Sequence, residues 1–260
     1  MPFLTSGELR YYQFDGFGEG VIHAVFTRQG GVSPDPWRGL NVGGMVGDDP
    51  GRVSENRWRA LAVLGREPAS VFDVWQVHGV DVAFAEAPRR PETAHLQADI
   101  ILTDKPGVTL MMRFADCVPI LLYDPVCKVV GIAHAGWIGT VRGTASVAVE
   151  AMRGRFGSNP ADIQAAIGPS IGPDHYEIGP DVIVQVRKAF GSETEELLVA
   201  QANSMFFNLW AANRKTLEKA GVRKIETAGI CTACHTEDWF SHRAERGRTG
   251  RFGAMIALKN

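Results

Sequence analysis

The chain reads as one α+β domain, a layered sandwich with mixed sheets and helices on its outside. Three observations carry that reading. With 260 residues, 45% hydrophobic and 22% charged, it has ordinary globular composition and enough apolar material for a sizeable core. Between about residues 71 and 135 short apolar runs follow one another with no helical pattern among them. Beyond them helices and strands succeed each other without a regular βαβ series, and no repeat, low-complexity tract or long linker divides residues 1–260.

In order along the chain, "GVIHAVFTR" (20–28) alternates, is rich in β-branched residues and ends in the turn-rich "QGGVSPDPWRG". A helix is expected from about Arg52, with Pro50 near its start and Gly65 just past its end. "VFDVWQVHG", "DVAFAEA", "ADIILTD", "VTLMMRFAD", "VPILLYD" and "VVGIAHAG" read as five or six strands bounded by Gly, Pro and Asp. So many consecutive strands do not fit one flat sheet, which is the argument for layers. Helices are expected near 140–155, 180–190 and 206–220, and strands near 163–168, 224–230 and 251–258. Met111 and Met112 fall within a strand and read as core.

Lys plus Arg number 27 and Asp plus Glu 29, a formal charge of −2, so no basic excess argues for nucleic acid or an anionic membrane as partner. "MPFLTSGELRYYQF" lacks a basic segment followed by an apolar run, and no stretch approaches the ~18 apolar residues of a membrane span. The expected compartment is the cytoplasm. There the four cysteines (117, 127, 231, 234) read as buried residues, metal ligands or reactive thiols rather than a disulfide scaffold. "CTACH" (231–235) has the spelling of a c-type haem attachment site. Such haem is normally attached outside the cytoplasm, which counts against it, and no haem is expected.

Three residues stand beside turn formers at the ends of predicted strands: His78 before Gly79, Cys117 before Pro119, and His134 before Gly136. One thiolate and two imidazoles suit Zn²⁺ or copper, and three ligands with a fourth position open is the pattern of a catalytic zinc. Spacing alone leaves open a buried cysteine and two satisfied strand histidines, because the separations form no compact ligand motif.

The words around these residues add to the reading. "TRQGGVS" (27–33), "LNVG" (40–43), "QVHG", "ADCVPIL", "HAGW", "IGPSIGP…YEIG" (167–179) and "FSHR…TGR" (240–251) occur together in this order. In them the chain resembles the family known both as multicopper polyphenol oxidase (laccase-domain) and as purine nucleoside phosphorylase, from about residue 20 onward. The resemblance implies a single α/β/β/α sandwich with zinc held by His78, Cys117 and His134. It implies phosphorolysis of adenosine, inosine, guanosine and methylthioadenosine, and deamination of adenosine, with purine nucleosides and phosphate as partners. It also makes the haem spelling an accident, since only Cys231 and Thr232 of "CTACH" match the family. A second zinc on Cys231, Cys234 and His235 is the alternative for those letters, because CxxC spacing suits tetrahedral geometry.

Phosphorolysis calls for cations that bind phosphate, and Arg28, Arg142, Arg243 and Arg251 are the candidates, each with a surface ion pair as its ordinary role. Arg28 is assigned beside Cys117 and His134 as catalytic, and Asn41 of "LNVG" as binding ribose or base or else serving only the turn. The family word H-A-G-W-R-G is here "HAGWIG", with Ile138 where the Arg belongs. Arg142, four residues on, lies on the same helical face and is the candidate replacement. Asp116 or Glu177 would shuttle protons in deamination, with a turn role for Asp116 as the alternative. His175 reads as a turn residue or a donor near the site. Two further readings stay open: a copper-dependent phenol oxidase, and a hydrolase with Cys117 as nucleophile and His134 as base.

Overall fold

In a computed structural model the described residues are 3–259. The chain opens with a hairpin, β1 (Phe3–Ser6) and β2 (Leu9–Tyr12), followed by β3 (Val21–Phe26). Helix α1 (Pro50–Val63) starts where the Asp49 side chain accepts the Arg52 N–H and Pro50 fills a position that needs no donor. Then come β4 (Val71–Phe72), β5 (Val82–Phe84), β6 (Ile100–Thr103), β7 (Thr109–Phe114), β8 (Val118–Asp124) and β9 (Val129–Ala135) with no α-helix between them, as expected.

The helix expected near 140–155 is two helices, α2 (Trp137–Arg142) and α3 (Thr144–Phe156). They break at Gly143, whose φ of 79° is left-handed. Strands β10 (Gln164–Ile167) and β11 (Glu177–Ile178) lead to α4 (Pro180–Phe190) and the single turn α5 (Thr194–Leu197). A hairpin, β12 (Leu198–Gln201) and β13 (Ser204–Phe207), precedes α6 (Leu209–Lys219), β14 (Lys224–Thr227) and β15 (Phe252–Leu258). Helix α6 starts later than expected because Met205–Phe207 pair as strand and Asn208 caps the Ala211 N–H.

One six-stranded sheet runs β1-β2-β3-β15-β7-β4 and the other β14-β10-β8-β9-β6-β5, and both mix parallel with antiparallel neighbours. The strand period of two sorts their residues into layers. Met112, Phe114, Phe252 and Ile256 of one sheet meet Ile101, Leu121 and Ile132 of the other in a core between them. Ile100, Val118, Ile120 and Leu122 face the opposite way, onto α3, α4 and α6. Ala24, Met111 and Met255 pack under Ala60 and Leu61 of α1. The layers are α/β/β/α, the expected sandwich. Strands β7, β8, β9 and β15 are covered on both faces, which is why they read as continuous apolar runs. No helix among the described residues is long and apolar enough to cross a membrane.

Candidate metal centre

His134, near the end of β9, follows the parity of Val130 and Ile132 and so faces the space between the sheets, 4% exposed. Its Nδ1 lies 2.7 Å from Asp99 Oδ1, and its backbone N–H donates to the Asp99 carbonyl at 2.8 Å. A carboxylate on Nδ1 sets the tautomer and leaves Nε2 as the ligand atom. The other Asp99 oxygen accepts the Val77 and Gly79 amides at 3.0 and 2.7 Å, on either side of His78. One fully buried carboxylate thus orients both histidines. Burial would raise its pKa, but the hydrogen bond and charge of His134 and the two amides bring it below the ordinary value.

His78 does not end a strand, as the sequence suggested. Pairing stops at Phe72, apart from one bridge at Trp75, and His78 sits in a loop at a left-handed φ of 59°. Cys117 directly precedes β8 and follows Asp116, itself left-handed at φ 81°. Asp116 accepts the Thr232 hydroxyl and the Arg243 amide, both at 2.7 Å, and its carbonyl accepts the Ile171 N–H. Of its two expected roles the turn role is the one this geometry serves, and Thr232 of "CTACH" is there to hold it.

The ligand atoms of His78, Cys117 and His134 lie within 4.8 Å of one another. The two imidazoles meet edge to face, 4.8 Å between centroids. Gly136 makes room: a Cβ there would lie 3.0 Å from Cys117 Sγ and 3.2 Å from His78 Cδ2. Burial pushes the Cys117 thiol up, but the charge of His134 and hydrogen bonds with both histidines outweigh it and bring the pKa to about 6. Burial likewise opposes a charge on His134, and the thiolate and Asp99 overcome it, raising the pKa to about 9. Without metal the pair is thiolate and imidazolium, and the thiolate is the form that binds metal. One sulfur and two imidazole nitrogens, one of them oriented by a carboxylate, fit zinc or copper.

The other expected site residues divide. Arg251 has its own charge disfavoured by burial and favoured by the opposite charges of Cys117 and Asp116, and its Nη1 donates to the Thr249 and Gly250 carbonyls. Arg243 lies over the Tyr176 ring, 5.3 Å from its centroid, and donates to the Glu177 carbonyl. Sequence reading missed both Asp99 and Tyr176. Burial and the Cys117 charge raise the Tyr176 pKa, with Arg243 opposing, so its hydroxyl stays protonated beside the thiolate.

Arg28 and Asn41 are placed differently from expectation. Arg28 is held by the Thr236 and Arg38 carbonyls and by Glu245, with its guanidinium 4.4 Å over the Phe240 ring. Asn41 is fully buried, and its amide bonds Gly43, Asp48 and the Arg251 N–H, so it positions Arg251 instead of facing a substrate.

Ile138 and Arg142 do share a face, but it opens on a groove with Asp181, Gln185 and Lys188 of α4. None of the three ligands lines that groove. Glu177 is exposed and bonds the Ser204 hydroxyl. His235 is exposed and pairs with Glu237 at 3.0 Å, away from Cys231 and Cys234.

The model of the multi-copper polyphenol oxidoreductase laccase family matches residues 22–259. A purine nucleoside phosphorylase of Deinococcus radiodurans is 41% identical over 238 residues, covering 92% of this chain and 89% of that one. The purine nucleoside phosphorylase YfiH of Escherichia coli is 33% identical over 243 residues, covering 92% and 95%. The crystal structure of YlmD from Geobacillus stearothermophilus superposes with a TM-score of 0.93 at 33% identity, over 100% of this chain and 99% of that one. With the motif series, the sandwich and the His-Cys-His cluster in place, the chain belongs to the multi-copper polyphenol oxidoreductase laccase family.

Proposed function

We propose that the chain is a zinc-dependent purine nucleoside enzyme, phosphorolysing adenosine, inosine, guanosine and methylthioadenosine and deaminating adenosine. The observation that carries the catalytic reading is the convergence of His78, Cys117 and His134 under a shared Asp99 carboxylate. The substrate class rests on the names of the relatives, purine nucleoside phosphorylases of Deinococcus radiodurans and Escherichia coli.

His78, Cys117 and His134 would hold a zinc ion, which when bound would supply a Lewis acid. The chain's own groups supply the rest. In phosphorolysis a phosphate oxygen forms a bond to C1′ while the C1′–N9 bond breaks and its electron pair leaves with the base, which takes up the proton that the attacking hydrogen phosphate gives up. Arg251, which feels the Cys117 charge, and Arg243, over the Tyr176 ring, are the cations that would hold the phosphate. Tyr176 keeps its proton, so it orients substrate as a hydrogen-bond donor rather than acting as an acid. Asp99 keeps His134 in one tautomer throughout. Copper on the same donor set, with phenol oxidation, is the metal alternative, supported by the family name.

A second reading has its own support. Cys117 as nucleophile, His134 as the base that has already taken the thiol proton, and Asp99 as the carboxylate orienting His134 also match the parts of a cysteine hydrolase. The test is base release from inosine and adenosine, with and without phosphate, in wild type, Cys117→Ala and His78→Ala. Phosphate-dependent release that both variants lose by several orders of magnitude supports the phosphorylase. No release from either nucleoside at any phosphate level overturns it. A His78→Ala variant that keeps its activity while Cys117→Ala is dead favours the hydrolase, which has no role for His78.

A further inference from the structure

A second set of soft ligands assembles where two turns face each other across the sequence. The turn Gly172–Tyr176 is closed by the His175 and Tyr176 amides donating to the Gly172 carbonyl at 3.1 and 2.9 Å. The turn Cys231–His235 is closed by the His235 amide donating to the Cys231 carbonyl, and Cys231 is bridged to Ser170. Between them the ligand atoms of Asp174, His175, Cys231 and Cys234 all lie within 4.8 Å of one another.

Four of the separations are given by the contacts. Cys234 Sγ is 3.1 Å from Asp174 Oδ2 and 3.4 Å from His175 Nδ1. Cys231 Sγ is 3.9 Å from His175 Nδ1, and His175 Nδ1 is 3.0 Å from Asp174 Oδ2. A tetrahedral zinc with bonds of about 2.3 Å to sulfur and about 2.0–2.1 Å to nitrogen or oxygen has donor–donor edges of about 3.3–3.8 Å. The cluster therefore needs shifts of only a few tenths of an ångström to close on such an ion. Both sulfurs are free thiols. The Gly172 N–H donates to Cys231 Sγ at 3.2 Å, the bond that settles a thiolate. Gly172 permits the approach: a Cβ there would lie 2.5 Å from Asp174 Oδ1 and 3.0 Å from Cys231 Cβ.

We infer that Asp174, His175, Cys231 and Cys234 form a second, closed four-ligand zinc site. Its four protein ligands make it a brace, in contrast to the three-ligand centre with its open position. What it braces is the wall of that centre. Tyr176 follows His175 directly, and Thr232, next to Cys231, holds Asp116 beside Cys117. Its one histidine is His175, from a turn 56 residues earlier than Cys231, and His235 has no part in the site. The inference does not depend on the nucleoside reading.

The test counts metal in protein purified in reductant and equilibrated with zinc, then dialysed. Wild type should hold two zinc ions per chain, Cys117→Ala one, and Cys117→Ala combined with Cys234→Ala none. His175→Gln, at an exposed side chain, serves where Cys234→Ala fails to fold, and should also lower the count by one. Cobalt loaded into the Cys117→Ala variant should give a thiolate-to-metal charge-transfer band and tetrahedral ligand-field bands, both lost with His175→Gln. A Cys117→Ala protein that binds no zinc, or cobalt bound there without a thiolate band, would overturn the site. Loss of nucleoside activity with two zinc ions still bound would overturn the function proposed above and leave this site standing.

Discussion

Asp99 shows how one side chain can set a site. It is fully buried and orients both histidines through three hydrogen bonds. Asp99→Asn keeps the shape but removes the charge, and one of its two oxygens becomes an amide that cannot accept. Zinc affinity at the three-ligand centre should fall roughly 10- to 100-fold, the usual loss when such a partner is removed. Competition with a chelator, read in the Cys234→Ala background, measures it; an unchanged affinity would mean that Asp99 is only structural. The arginines give a second residue-level prediction. Arg251 feels the Cys117 charge, whereas Arg142 lines the α2–α4 groove. Arg251→Ala should raise the phosphate KM by roughly tenfold to 150-fold, the worth of one charge-assisted contact. Arg142→Ala should leave that KM within about twofold. Steady-state kinetics at varied phosphate decides between them.

At the scale of elements, the break between α2 and α3 is what lets one helix leave the site while the next packs on the sheet. Gly143 makes it possible with a φ of 79°, and a Cβ there would also lie 2.9 Å from Ser146 Oγ. Gly143→Ala should cost about 1–2 kcal/mol, the ordinary penalty for forcing a side chain into the left-handed region. Urea unfolding measures it, and a loss below about 0.5 kcal/mol would show that the break rests on something else. This break was not legible in "WIGTVRGTASVAVEAM", whose apolar spacing runs through the glycine. The first hairpin was missed for another reason. Three of the four residues of β1 are exposed, so the period of two leaves no apolar trace.

For the molecule as a whole, His23 predicts how stability responds to acid. It is 6% exposed in β3, and its Nε2 accepts the Phe14 N–H at 2.9 Å. Burial lowers its pKa to about 4. In the unfolded chain the value is about 6.5, so between these two the unfolded state binds more protons and stability falls as pH falls. The loss begins near pH 6.5, is complete below about pH 4 and amounts to roughly 3 kcal/mol. His23→Gln should flatten this part of the profile, as seen in unfolding free energies at pH 7 and pH 4.5. Equal slopes in both proteins would remove His23 as the cause.

Sequence alone determined the layers and the three residues that meet at the candidate metal centre. Fully buried strands must be apolar on both faces, so β7, β8, β9 and β15 announce themselves, and the words around His78, Cys117 and His134 mark those residues as a set. It could not determine which polar residues would meet, because a hydrogen bond between distant segments leaves no period in either one. Asp99 looks like any strand-flanking aspartate until β6 and β9 pair and bring it to His134. Asn41 and Arg28 look like site residues until the fold buries one and pairs the other. The letters of "CTACH" suggested His235 as the partner of its cysteines. Only the pairing of two turns in space put His175 there instead, since metal-type clusters follow distance between atoms and not distance along the chain.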